Sequence, residues 1–166
     1  MAGPVVLQSW WFEYRQVVAT LAGVVLGFCL LWVKEWWTNR RAYRAHWAAL
    51  ATEAEICREH ADVYLQDRVA APSYRLPTRA FENSLPPLLS AGKVNPEELR
   101  VLTEFSLHVE TFNRGLDQVN EARGDVEKLG AEFNRNILKA QRLTAGDDTL
   151  YSRARQVLAE RTRIAH

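Results

Sequence analysis

Residues 17–33 read VVATLAGVVLGFCLLWV, seventeen consecutive positions without a charge. Coiled as an α-helix at about 1.5 Å per residue, the run is roughly 25 Å long, the short end of what a hydrocarbon core of about 30 Å requires. Its flanks carry the rest of the signal. Trp10, Trp11, Phe12 and Tyr14 crowd one end, and Trp32, Trp36 and Trp37 crowd the other. Amphipathic rings favour the headgroup level, so two aromatic clusters bracketing an apolar run mark two membrane interfaces. From Trp10 to Trp37 a helix measures roughly 40 Å, close to a whole bilayer of about 40–45 Å. The sequence therefore predicts a transmembrane helix over 17–33 with Trp10, Trp11, Trp32, Trp36 and Trp37 as interface anchors.

Charge order separates this helix from a signal peptide. A signal peptide carries its positive charge before the apolar run and small residues at a cleavage site after it. Here only Arg15, offset by Glu13, precedes the run, while Lys34, Arg40, Arg41 and Arg44 follow it against a single Glu35. Bulky tryptophans stand where small residues would be needed. A buried core helix of a soluble protein has no reason to carry paired tryptophan belts. Basic residues stay on the cytoplasmic side, so the expected topology is a short N-terminal tail outside and a C-terminal domain in the cytoplasm.

The chain has 166 residues and a formal net charge of +1. The expected division is an external tail and interfacial segment at 1–16, the membrane helix at 17–33, a basic aromatic collar at 34–44, and a helical domain at 45–166. From Ala45 onward acidic residues slightly outnumber basic ones. The basicity is thus a juxtamembrane collar, not a nucleic-acid face. Anionic lipid headgroups are the partner expected for Lys34, Arg40, Arg41 and Arg44. Cys29 lies inside the membrane run and Cys57 in the domain, so no intramolecular disulfide framework is expected, as in a reducing cytoplasm. Arginine heavily outnumbers lysine, a usage associated with GC-rich bacterial genomes.

Beyond the collar the pattern is helical. Tyr43, Trp47, Leu50, Ala54, Cys57, Ala61 and Tyr64 recur with 4-3 spacing among polar residues, a heptad stripe on one helix face. It predicts a helix continuous with the membrane segment from about 9 to 67, ended by Ala70-Ala71-Pro72 because the residue before proline leaves the α region. Residues 72–95 are turn-rich, with a two-turn helix expected after Thr78 as its cap. Asn95-Pro96-Glu97-Glu98 is a strong helix start: a capping side chain, a proline at the first turn, and acids at the positive helix end. Leu102, Phe105, Val109, Phe112, Leu116 and Val119 then form a second stripe, of large residues. Large facing small predicts that the two helices pair antiparallel. One helix from 96 to 143 would run roughly 70 Å and overshoot into the bilayer, so a break is expected at Gly124-Asp125 with Asp125 capping a third helix. A last helix is expected over about 149–164. The predicted fold is all-α, an N-terminal transmembrane helix continuing into an antiparallel cytoplasmic helical bundle, without strands or internal repeats.

Two short motifs carry a resemblance. Leu76-Pro77-Thr78-Arg79-Ala80-Phe81-Glu82 and the later Phe112-Asn113-Arg114-Gly115-Leu116-Asp117 resemble a pattern in small, functionally uncharacterised single-pass bacterial membrane proteins. There a Leu-Pro-Thr-x-Ala-aromatic-Glu motif follows the anchor helix and a Leu/Phe-Asn-x-x-Leu helix comes later. The resemblance covers about residues 17–120 and implies location and fold, with no activity. Gly115 departs from the bulkier residue of that pattern.

Candidate sites are few. Ala19, Gly23 and Gly27 put small residues four apart on the membrane helix, which permits close backbone approach of a second helix. Cys57 and His60 are one helical turn apart, with Glu53 one turn earlier, but no second ligand cluster accompanies them and Cys57 lies on the apolar seam; no metal, cofactor or catalytic set is assigned. Phe81 is expected to plug the distal end of the bundle. Arg153, Arg155, Arg161 and Arg163 are diluted by Asp147, Asp148 and Glu160, the composition of a solvated face. No phosphate loop, dinucleotide fingerprint, nucleophile elbow or zincin motif occurs. The functional expectation is a non-enzymatic inner-membrane protein whose domain serves interaction or assembly, with a homo-oligomer or protein partner bound through helix faces and no nucleic acid or small-molecule substrate. The alternative class is a membrane-acting effector, toxin-like or host-defence, that oligomerises in the bilayer. A membrane helix with little polar surface beyond Thr20 and Cys29 disfavours it.

Overall fold

The computed structural model describes residues 5–67, 75–146 and 148–164, with side chains described from Tyr14 onward except Gln16 and Ile164. Every regular element in it is a helix: α1 (Val5–Asp67), α2 (Arg79–Ser90), α3 (Pro96–Glu121), a 3₁₀ turn (Ala122–Gly124), α4 (Val126–Thr144) and α5 (Leu150–Ile164). No strand occurs among the described residues. The chain divides into two compact units, Met1–Ala42 and Tyr43–His166.

The first unit is the N-terminal part of α1. Described side chains of its apolar run are exposed throughout, Phe28 at 70% and Leu30 at 66%. Trp10 and Trp11 lie outside the described side chains, as Ala70, Ala71 and Pro72 lie outside the described residues.

The second unit has a core built by the heptad stripes. Trp47, Leu50, Ala54, Cys57, Ala61 and Tyr64 are all buried on α1, as are Leu102, Phe105, Val109, Phe112, Leu116 and Val119 on α3. Spacing by three and four keeps each set on one helix face. Phe81 and Leu88 from α2, Ala140 and Leu143 from α4, and Leu150, Ala154 and Leu158 from α5 complete it. Tyr64 meets Phe112 edge-on at 5.2 Å, and Phe81 lies 5.4 Å from Phe105.

The helix starts follow local chemistry. Asn95 accepts from the Glu98 N–H while the Glu98 carboxylate accepts from the Asn95 N–H, a reciprocal capping box that satisfies donors the helix leaves open. Asp125 caps α4 by accepting from the Glu127 and Lys128 N–H groups, so the break at Gly124-Asp125 holds. Val126 is 87% exposed and does not continue the α3 stripe.

Three expectations are corrected. The two heptad helices run in the same direction, not antiparallel. Arg161 ties Glu98, at the start of α3, and stacks over Trp47 near the start of the domain, whereas Phe112 meets Tyr64 one helix length on. The chain returns in between. Glu53 contacts the first turn of α2, and Lys93, just past its end, lies over Tyr43. With α2 carrying the chain back, α3 must start where α1 enters the domain. The length argument for the break therefore does not apply; the 3₁₀ turn and the Asp125 cap end α3. His108 and Gly115 of α3 meet Lys139 and Asn136 of α4, so α4 runs back along α3. Arg153 with Glu104 and Arg161 with Glu98 set α5 running opposite to α3.

Second, α2 is a three-turn helix of 12 residues that includes Pro86 and Pro87, longer than expected. Thr78 does not cap it with its hydroxyl, which donates to Glu82 Oε1 at 2.7 Å. Third, Phe81 is buried but sits level with Glu53, in the body of the domain rather than at its distal end.

Candidate functional site

Candidate site residues fall in two places, the apolar part of α1 with the basic residues that follow it and the cluster where the two motifs meet.

On the helix, Ala19, Gly23 and Gly27 are all exposed. A Cβ added at Gly23 or Gly27 meets nothing within 4 Å among the described residues. Trp32, Trp36 and Trp37 are 70%, 49% and 69% exposed. Lys34, Arg40 and Arg41 are exposed as well, and the Arg40 guanidinium lies 5.3 Å over the Trp36 ring, a cation–π arrangement. Arg44 belongs to the second unit and is half-buried. Its Nε is buried and has no hydrogen-bond partner among the described residues, as is also true of Arg153 Nε.

The motif cluster is held by three side chains on two helices. Glu53 of α1 is 7% exposed and accepts from the N–H groups of Ala80 at 2.7 Å and Phe81 at 3.0 Å. A helix start leaves its first N–H groups without intrahelical partners, and here a carboxylate 27 residues away supplies them. Asn113 of α3 does the same for the preceding extended segment. Its amide accepts from Leu76 N–H and donates to Leu76 O, both at 2.8 Å. The Cys57 thiol donates to Pro77 O at 3.3 Å. The two resembling motifs are thus in direct contact. Asn113 of the second motif, with Glu53 and Cys57 of α1, holds the backbone of the first, and the groups that meet there satisfy one another.

Gly115 is explained by its neighbour. A Cβ there would lie 2.0 Å from Asn136 Oδ1. Asn136 is fully buried on α4, and its Nδ2 faces the Tyr64 hydroxyl at 3.5 Å.

The Cys57 thiol is directed to Pro77 O and not to His60 among the described hydrogen bonds. Burial, with Glu53 adding to it, pushes the Cys57 thiol up to about 12, so it stays protonated and a poor nucleophile. No group of three or more His, Cys, Asp or Glu converges as metal ligands would among the described residues. On α5, Arg161 is bonded to Glu98 at 2.6 and 2.7 Å, and Arg153 is paired with Glu104 at 3.4 Å. These two arginines tie α5 to α3; Arg155 and Arg163 are exposed, and Asp147 lies outside the described residues.

One depression of about 200 Å³ opens between α1 and α5, lined by Ala51, Ala54, Glu55, Tyr151, Arg155 and Leu158 among others. Its acid is occupied: Glu55 accepts from the Tyr151 hydroxyl and from Arg58. Comparison of the chain with family models, curated proteins and solved structures finds no match.

Sequence reasoning missed Glu53 as a cap, Asn113 as a clamp and Asn136 as the reason for Gly115. Only the departure at Gly115 from the resembling pattern gave a signal.

Proposed function

We propose that this chain is a non-enzymatic, single-pass inner-membrane protein of a bacterium, N-terminus outside, whose cytoplasmic helical domain serves as an interaction or assembly module. One observation carries the reading. An 18-residue window of α1 has a mean hydropathy of 2.2, and none of it is buried. A core helix of a soluble protein would be mostly covered, and an uncovered apolar helix in water is unfavourable in proportion to its apolar area. The charge order argues against a cleaved signal. The tryptophans at 32, 36 and 37 and the basic residues Lys34, Arg40, Arg41 and Arg44 suit the inner headgroup layer. The protonated, buried Cys57 thiol argues against a nucleophilic role for the Cys57–His60 pair. Contact between the two motifs lends support to the resemblance with small single-pass membrane proteins, whose shared residues would then preserve a chain reversal.

Association is assigned to the face of Ala19, Gly23 and Gly27, where small residues admit a second membrane helix, most simply from another copy. The open space at both glycines supports it. A native gel of the full chain in mild detergent tests the assignment. Gly23→Ile with Gly27→Ile should convert a larger species to the monomer; an unchanged size would remove this face from the account.

A further inference from the structure

We propose that the depression between α1 and α5 binds a small organic acid, a carboxylate carried on an apolar body about the size of a benzene ring. The site lies wholly within the second unit and stands apart from the membrane reading above.

The space follows from the residues that meet there. Facing helices normally interdigitate their side chains, but here Ala51 and Ala54 of α1 and Ala159 of α5 are short, and a gap remains beside Leu158. The two helices are tied on either side of it. At one end the Tyr151 hydroxyl donates to Glu55, and Arg58 lies 5.6 Å over the Tyr151 ring. At the other, Arg161 lies 5.9 Å over the Trp47 ring. The volume between these ties is about 200 Å³. An apolar cavity of about 150 Å³ takes up benzene, so a ring of that size has room here. Its floor is apolar and covered, with Ala54 at 1% and Leu158 at 2% exposure.

Polar groups at the mouth set the chemistry. Glu55 is the one acid among the lining residues, and it is engaged. One of its oxygens accepts from the Tyr151 hydroxyl, the other from Arg58 at 2.6 and 3.0 Å. Those two partners hold its carboxyl below the usual range, and the Arg155 charge adds to the effect through space. The Thr162 hydroxyl donates to Leu158 O at 2.8 Å. Arg155 lines the same depression, is exposed, and forms no hydrogen bond or ion pair among the described residues. It differs in this from Arg153 and Arg161, which tie α5 to α3. A free guanidinium beside an apolar floor matches a carboxylate, which accepts two parallel N–H bonds from the fork. The charges of Arg58 and Arg155 exceed that of Glu55 by one, which a single carboxylate balances. Inorganic phosphate carries no apolar body to lay on Ala54 and Leu158.

The test is a fluorine NMR titration of para-fluorobenzoate against the full chain in mild detergent, with binding read from line width and shift. Wild type should bind the probe saturably. Arg155→Gln should weaken binding about fivefold, the upper end for an exposed ion pair. Arg155→Lys, which keeps the charge without the fork, should weaken it less. Ala159→Leu, which puts bulk into the mouth, should abolish saturable binding, and Arg163→Gln, on α5 but outside the lining, should leave it alone. Arg155 and Ala159 are exposed, so their variants should keep the wild-type melting curve. Para-fluorobenzyl alcohol, the same body without the charge, and fluoroacetate, the charge without the body, should each bind more weakly than the probe. Wild-type affinity in Arg155→Gln or Ala159→Leu would overturn the site. Fluoroacetate binding as tightly as para-fluorobenzoate would also overturn it, in favour of a plain anion site. A signal that never saturates and is the same in every variant would overturn it too, as uptake of the probe by the micelle.

Discussion

Glu53 is a charged residue buried at 7% exposure, and both of its oxygens are used on the N–H groups of Ala80 and Phe81. Hydrogen bonds to a charged group are each worth about 1.5–3 kcal/mol. Glu53→Ala removes two acceptors and leaves two buried donors. We expect a loss of about 2–4 kcal/mol in urea unfolding of the full chain in detergent, the range set by those bonds less the relief of a buried charge. Glu53→Gln, which keeps one acceptor, should lose less; equal stability of Glu53→Ala and wild type would remove the cap from the account. Gly115 is the second such residue. Its added Cβ would collide with Asn136 Oδ1, and overpacking of this kind costs typically about 1–3 kcal/mol. Gly115→Ala should therefore destabilise, and much of the loss should disappear in the Asn136→Ala background, where the obstructing amide is gone. Additive losses in that double-mutant cycle would show that the two positions do not interact. Neither Glu53 nor Asn136 announces its role in the sequence, because each acts on residues remote along the chain.

The helices themselves were legible, and their order in space was not. Stripes such as Trp47-Leu50-Ala54-Cys57 and Leu102-Phe105-Val109-Phe112 predicted the buried faces of α1 and α3, since a period near 3.6 reports burial directly. Asn95 and Asp125 predicted their helix starts because caps are local chemistry. The relative direction of α1 and α3 depends on α2, whose first turn is completed by Glu53 and whose two prolines read as turn signals. Between elements, the Glu98–Arg161 pair is the clearest tie. Burial pushes the Glu98 carboxyl up, but Arg161 and the Asn95 N–H outweigh that and hold it below the usual carboxylate range. A carboxyl depressed by folding stabilises above its unfolded value, near 4.3, and that contribution is lost as pH falls through the folded value. Wild type should therefore lose stability between pH 5 and pH 2.5 more steeply than Arg161→Gln, as read from urea midpoints (bounds chosen about that unfolded value). Parallel acid limbs would contradict the assignment.

For the whole molecule, the proposed membrane reading rests on residues 17–33 and their flanks, and what the fold adds is that none of this apolar window is buried among the described residues. The domain that follows is tightly capped and clamped, with its motif residues engaged in holding its own turns. In the first unit the exposed opportunity is the helix face at Ala19, Gly23 and Gly27. All of this depends on how the chain sits in a bilayer. The most direct test is cysteine accessibility to a membrane-impermeant maleimide in spheroplasts, in a Cys29→Ser background where the buried Cys57 stays silent. The account predicts that Gly3→Cys is labelled in intact spheroplasts and Arg163→Cys only after permeabilisation, with both chains in the membrane pellet. Labelling of Arg163→Cys in intact spheroplasts would contradict it.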